Sequence, residues 1–218
     1  MVTKTICCKW TWKNKTVEAS ERKEEERQAF REKVKDLDAK KCRVIDETGS
    51  NIALARRYAR APKGKRARGS IPRKRGKKVT LISDLSLGGL GELFLIDGAA
   101  NGDLFEAYVE QILVPTLHPG ETVIMDNLSI HTGKRVRELI EAKGCQLLFL
   151  PAYSPDFSPI EEAFSKIKSV LRSIGARTRE ALQDAIEYAC TTVTPSDAIG
   201  WFRHCGYAVP DENEPARA

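Results

Sequence analysis

Between residues 41 and 150 the chain breaks into short apolar runs separated by turn residues. Runs at 41–46 (KCRVID), 51–55 (NIALA), 79–84 (VTLISD) and 91–97 (GELFLID) are bounded by Gly, Ser, Asn and Asp, and each reads as a strand. SLGGLG, between the last two, reads as a hairpin-type turn. The pattern then lengthens to helical spacing at 101–113 (NGDLFEAYVEQIL), with Asn101 or Asp103 near its start, and at 132–143 (TGKRVRELIEAK), stopped by Gly144. Two further strands, 121–126 (ETVIMD) and 145–150 (CQLLFL), follow those helices. Upstream, residues 18–38 have helical spacing but only a narrow stripe of Ala29, Phe30, Val34 and Leu37, as in a surface or connector helix. Downstream, helices are expected over 158–173, from 178 to about 192, and over 195–205, before an acidic tail that reads as disordered.

Strands joined by short turns pair antiparallel, and strands separated by helices pair parallel. The expectation is therefore an α/β fold: a mixed sheet of three antiparallel strands and then two parallel ones, flanked by helices. No internal repeat is visible. Neither GxxxxGK nor GxGxxG occurs, and GGLG lacks the helix a phosphate-binding loop requires. With 218 residues and 41% hydrophobic content, the chain is long enough to bury a core and reads as soluble, with no apolar run long enough to cross a bilayer. The basic start MVTKTICCKWTWKNK lacks the apolar core of a signal peptide. The six cysteines, Cys7, Cys8, Cys42, Cys145, Cys190 and Cys205, form no CxxC pair or zinc-ligand spacing, which fits free thiols in a reducing cytoplasm.

Charge sharpens the picture. The net charge is +6, and much of the positive charge lies in RRYARAPKGKRARGSIPRKRGKK, residues 56–78, which holds twelve Lys or Arg and no acid. These are Arg56, Arg57, Arg60, Lys63, Lys65, Arg66, Arg68, Arg73, Lys74, Arg75, Lys77 and Lys78. Pro62, Gly64, Gly69, Pro72 and Gly76 break any helix or central strand, so the segment is a loop or arm. It is either a phosphate-contacting arm, the reading its density favours, or a solvated loop.

Three acids carry the candidate chemistry. Strand alternation puts Asp46 on the side of Cys42 and Val44, at the end of a buried row, where a bound cation would relieve its desolvation. Asp46 equally suits the start of a turn at DETG, and Asp126 the cap of the loop DNLS. Glu161 fits a capping box with Ser158 and Pro159, and spacing alone does not separate it from Glu162. Grouped carboxylates of this kind hold pairs of divalent cations in phosphodiester chemistry.

The joint pattern decides between these readings. VIDETGSNIALARRYARAPKG, VIMDNLSIH and LPAYSPDFSPIEEAFSKIK resemble the DDE transposases of the mariner type and their bacterial insertion-sequence 630 relatives, over residues 40 to 175. The resemblance implies a ribonuclease-H-like catalytic domain over 41–175, preceded by an N-terminal remnant and connector helix (1–40) and followed by C-terminal helices and tail (176–218). It implies Asp46, Asp126 and Glu161 as the catalytic and metal-binding acids, with two Mg²⁺ or Mn²⁺ ions, acting in DNA cleavage and strand transfer. His131, within the same stretch, is a candidate DNA contact or a packing residue, and so are Tyr153 and Ser154. The implied partners are double-stranded DNA, as transposon ends and target, and a second copy in a homodimer, in the cytoplasm on the nucleoid.

One departure bears on scope. Such transposases carry helix-turn-helix domains before the first aspartate, and this chain has no room for them, which suggests a separately encoded helix-turn-helix part or a truncated relic. A catalytically silent DNA-binding or dimerising remnant is the competing class, and a general ribonuclease-H-like nuclease a third. The presence of all three acids favours the catalytic one.

Overall fold

The structure is a computed structural model that describes residues 22–56, 58–128 and 131–210. Arg57, Cys7 and Cys8, Trp10 and Trp12, and the acidic tail beyond residue 210 lie outside the described residues.

A mixed sheet forms the centre. Strand β1 (Cys42–Ser50) pairs antiparallel with β2 (Val79–Ser86), which in turn pairs antiparallel with β3 (Gly89–Leu90) and β4 (Phe94–Asp97). On its other edge β1 pairs parallel with β5 (Thr122–Met125), and β5 pairs parallel with β6 (Gln146–Phe149). The antiparallel and parallel halves fall where the connection lengths put them. Helix α1 (Glu24–Lys35) precedes the sheet. Helix α2 (Gly102–Tyr108) runs through a π turn, Val109–Leu113, into the short α3 (Val114–Thr116). Helices α4 (Lys134–Ala142), α5 (Pro159–Ile174), α6 (Arg179–Thr191) and α7 (Pro195–His204) complete the chain.

Alternation along the strands supplies two cores, one per face. Ile45, Ile82, Val123 and Met125 meet Phe105, Tyr108 and Leu113 of the α2–α3 helix and Val136 and Ile140 of α4. Val44, Leu81, Leu85 and Ile124 point the other way, against Phe30 and Val34 of α1, Ile160, Phe164, Ile167 and Leu171 of α5, and Leu182, Ile186 and Phe202 of α6 and α7. This second core joins α1, the sheet and the C-terminal helices in one packed body.

Several local expectations are corrected. Residues 51–55 do not form a strand. Instead β1 continues through Asp-Glu-Thr-Gly to Ser50, paired rung by rung with β2 from Val44↔Leu85 to Ser50↔Val79. Asn51 then ends the strand by accepting the Ala53 amide on its side chain at 2.9 Å, while Ile52 and Leu54 fold back onto the core. The exposed Lys78 side chain lies across Gly49, its Cε 1.8 Å from where a Cβ would stand. In α1 the buried stripe is Arg27, Phe30 and Val34, with Ala29 exposed. Helix α5 runs one residue past the expected 173, to Ile174, which is 47% exposed.

Candidate active site

Val44 and Ile124 are partners across the parallel β1–β5 pair. Two residues further on, each of these two segments reaches an aspartate, and alternation keeps Asp46 and Asp126 on the same face as Val44 and Ile124, the face covered by α5. The C-terminal ends of adjacent parallel strands are where α/β folds build their sites. The third acid arrives from the start of α5. Asp46, Asp126 and Glu161 line one cavity of about 350 Å³, together with Asn127, Leu128, the segment Leu150–Pro155, and Ser158.

Glu161 is not used as a cap. Ser158 holds the N-cap position of α5, but its side chain makes no capping bond, and Glu161 returns only its backbone N–H to the Ser158 carbonyl at 3.1 Å. A reciprocal capping box forms instead at α7, between Thr194 and Asp197. Glu162 turns away, its carboxylate 3.3 Å from His204 Nδ1. Asp46 is part of a strand rather than of a turn, and its Oδ1 accepts the Glu47 amide at 2.7 Å. The capping reading of Asp126 holds in part, since its Oδ1 accepts the Leu128 amide at 3.1 Å.

The charge balance here is unusual. Burial, aided by repulsion from Glu47, Glu161 and Asp126, outweighs the Glu47 amide and pushes the Asp46 carboxyl up to about 7. His131, expected among the DNA contacts, is instead fully buried, because Asp126 and Glu47 claim both its ring nitrogens. Nδ1 bonds Asp126 Oδ1, Nε2 lies 2.9 Å from Glu47 Oε2, and the ring packs 4.3 Å from Phe105. Burial opposes charge on this imidazole, yet the bonds to Asp126 and Glu47 prevail and push it up to about 9. Glu47 is the residue that sequence reasoning missed. Its signal was strand parity, which placed it opposite Asp46, on the face that His131 reaches.

These residues suit a hard divalent cation. The acids facing the cavity offer only oxygen donors, and the burial and neighbouring negative charge that lift Asp46 are what a cation relieves. Among the described residues no three His, Cys, Asp or Glu side chains form a ready-made metal cluster, so the acids share a cavity without closing on a point.

Tyr153 and Ser154 divide. Tyr153 is 58% exposed at the rim, with a left-handed φ of 55°, whereas Ser154 is buried. The described cations of the arm, Arg56, Arg60, Lys63, Lys65, Arg66, Arg68, Arg73, Lys74, Arg75, Lys77 and Lys78, are all exposed. Arg56 is tied to Ser173 Oγ at 2.8 Å, at the far end of α5, roughly 18 Å along the helix from Glu161 at 1.5 Å per residue.

A mixed sheet of this order, with acids in the central strand, just past the end of its parallel neighbour and at a helix start, is the ribonuclease-H-like fold of DDE transposase catalytic domains. The chain belongs to the DDE superfamily endonucleases, whose family model matches residues 41–183. No curated protein sequence matches it. Among solved structures it is similar to Mos1 transposase in a pre-cleavage transpososome, at 15% identity over 90% of this chain and 63% of that chain, with a TM-score of 0.69. It is similar to the Mos1 mariner paired-end complex with Mn at 16% identity, over 91% of this chain and 63% of that one, TM-score 0.66. The Mos1 transposase catalytic domain with raltegravir and Mg matches at 17% identity, over 87% of this chain and 90% of that one, TM-score 0.62. The chain thus spans 63% of the length of the first two transposase chains. Among the described residues no helix is long and apolar enough to cross a membrane.

Proposed function

We propose that this chain is a transposase catalytic domain that cleaves DNA and transfers strands, of the mariner-like type and its insertion-sequence 630 branch. The observation that carries the reading is that Asp46, Asp126 and Glu161, from two strands and a helix far apart in sequence, face one cavity. Asp46, which feels the charge of both other acids, would hold both cations, with Asp126 and Glu161 each completing one side. Two divalent cations bound there, Mg²⁺ or Mn²⁺, would supply activation of the attacking oxygen and stabilisation of the leaving one. The catalytic unit is residues 41–175, with α1 on one flank and α6 and α7 on the other.

Double-stranded DNA, as transposon ends and target, is the substrate. Cations of the arm neutralise its phosphates, and the distance from Glu161 to the root of the arm spans about five nucleotides of one strand at 3.4 Å each. His131 holds Asp126 from behind rather than touching DNA. The working form is a homodimer on the nucleoid in the cytoplasm.

The test is nicking and strand transfer, with Mg²⁺ or Mn²⁺, on duplex DNA bearing the sequences that flank the gene. Wild type is expected to cut and join, and Asp46→Ala, Asp126→Ala and Glu161→Ala to do neither. A wild type that binds this DNA but never cuts it leaves the remnant reading. Cutting without preference for those ends points to a general nuclease.

A further inference from the structure

The buried stripe of α1 contains one charged side chain. Arg27 is fully buried, between helix residues whose neighbours in the stripe are Phe30 and Val34. Its Nε donates to Glu24 Oε2 of the same helix at 3.2 Å, and its two amino groups grip a single loop. Nη1 donates to Ser154 Oγ at 2.7 Å and to Asp156 Oδ1 at 3.0 Å, Nη2 donates to Asp156 Oδ2 at 2.6 Å, and the group lies 4.5 Å from the centre of the Phe157 ring. Ser154 passes the connection on by donating to the Ala152 carbonyl at 3.1 Å. From the opposite side, Tyr207 donates its hydroxyl to the Phe157 carbonyl at 2.9 Å.

That loop joins β6 to α5 and forms one wall of the cavity, from Leu150 through Pro155 to Ser158. It does not rest in a conformation that local preference supplies, since Tyr153 holds a positive φ that residues with a side chain adopt only at a cost. Something outside the loop must hold it, and the bidentate fork from α1 is the strongest such tie. Stability alone does not explain an arginine here. A buried ion pair is replaced by well-packed apolar side chains at little loss in many proteins, and the rest of the stripe is apolar.

We infer that Arg27 is a positioning residue for the third acid: by fixing residues 152–157 it sets where α5 begins, and so where Glu161 stands relative to Asp46 and Asp126. No residue of α1 lines the cavity, and the polar tie from α1 to the cavity wall runs through this loop. The inference rests on reading the three acids as a metal site.

The test compares wild type, Arg27→Met, Arg27→Lys and Asp156→Asn in the full chain, with Asp46→Asn as the metal-dead control. Three quantities are read: unfolding temperature, amide hydrogen exchange over residues 151–161, and Mn²⁺ affinity by calorimetry. Arg27→Met keeps the packing volume and loses the fork. Exchange across 151–161 should rise selectively over that of α6, and Mn²⁺ affinity should fall by about tenfold, the usual loss when a partner behind a metal ligand is removed. Arg27→Lys should resemble Arg27→Met, because one ammonium cannot reproduce the planar fork. Asp156→Asn, which keeps the shape, should fall between them and wild type. If Arg27→Met does not fold, Arg27→Lys and Asp156→Asn decide by the same two readouts. A lowered unfolding temperature with Mn²⁺ affinity within twofold of wild type, or exchange that rises no more at 151–161 than in α6, overturns the inference. A wild type that binds no more Mn²⁺ than Asp46→Asn defeats the metal-site reading and the positioning of Glu161 with it, while the exchange arm still reports whether Arg27 holds the loop.

Discussion

Val44 on β1 stands opposite Ile124 on β5, and this one rung aligns the two aspartates two residues beyond it. Side-chain period fixes the face and strand register fixes the level, so Asp46 and Asp126 reach the same end of the sheet on the same side.

Asp46→Asn should abolish cleavage while leaving the protein as stable or more so. The ionised carboxyl is disfavoured by burial and by its acidic neighbours, which is why its pKa lies near 7, and a neutral amide of the same shape removes that penalty above pH 7. The expected result is at least about a thousandfold loss of nicking, on the scale seen when a preorganised charge-stabilising group is deleted. The unfolding temperature should be equal or higher by calorimetry at pH 8. A clear drop would mean that Asp46 is a structural anchor.

The two glutamates of the Pro-Ile-Glu-Glu run should separate cleanly. Glu161 faces the cavity, and Glu162 pairs with His204 outside it. Glu161→Gln should be inactive in the nicking assay, and Glu162→Gln should keep its rate within about threefold, since an exposed pair contributes little. The reverse outcome would move the third acid by one residue.

What could be read from the chain, and what could not, follows from range. The face of Asp46 was legible because alternation is local: Cys42, Val44 and Asp46 fall on one side. The antiparallel-then-parallel order was legible from connection lengths. DETG misled because Asp, Thr and Gly favour a turn locally, whereas β2 supplies a pairing partner for each residue to Ser50, and that ladder prevails. The Ser158–Glu161 capping box misled in the same way, because the pattern is formed by two residues and the cavity by elements far apart. Arg27 was invisible as a buried residue because its charge assigned it to the surface of α1, and its partners Ser154 and Asp156 lie 127 and 129 residues away.

The arm should contribute affinity and not stability. Replacing Lys74, Arg75 and Lys77 by Ala removes three exposed cations. The slope of log affinity against log salt should become shallower by about 0.9 for each phosphate no longer neutralised, with the unfolding temperature unchanged. Fluorescence anisotropy with labelled duplex from 50 to 300 mM salt (roughly the range where counterion release dominates) measures it. An unchanged slope would make the arm a solvated loop.

The capping box of α7 gives a pH signature. Asp197 accepts the Thr194 amide at 2.9 Å and the Lys166 ammonium at 2.6 Å, and these bonds, with the Lys166 bond the largest influence, lower its carboxyl to about 2. The sign follows from that depression. Its stabilisation is complete above the unfolded value, near pH 3.9, and is lost as pH falls through 2. Asp197→Asn should therefore cost about 1 kcal/mol, the usual worth of a helix cap, equally at pH 7 and pH 5. The difference in urea midpoints should narrow by pH 3. A gap that stays constant down to pH 2.5 would show that the carboxylate charge is not what caps the helix.

His131 should prove more important to the fold than to DNA. It lies buried between Glu47 and Asp126, charged at neutral pH because both carboxylates bond it. His131→Ala leaves two acids facing each other across an empty space beside Phe105, with no cation between them. Breaking a buried ion pair from one side costs about 3–5 kcal/mol, which urea unfolding at pH 7 resolves easily. Adding Glu47→Gln to His131→Ala removes one of the two stranded charges, so the double variant should be more stable than His131→Ala alone, by about 1 kcal/mol or more of coupling. DNA affinity measured without divalent cations should match wild type in both, because the imidazole has no exposed surface. If His131→Ala were as stable as wild type and bound DNA tenfold more weakly, the ring would have to leave its buried site to meet the phosphate backbone, and the assignment of His131 as the support behind Asp126 would fail.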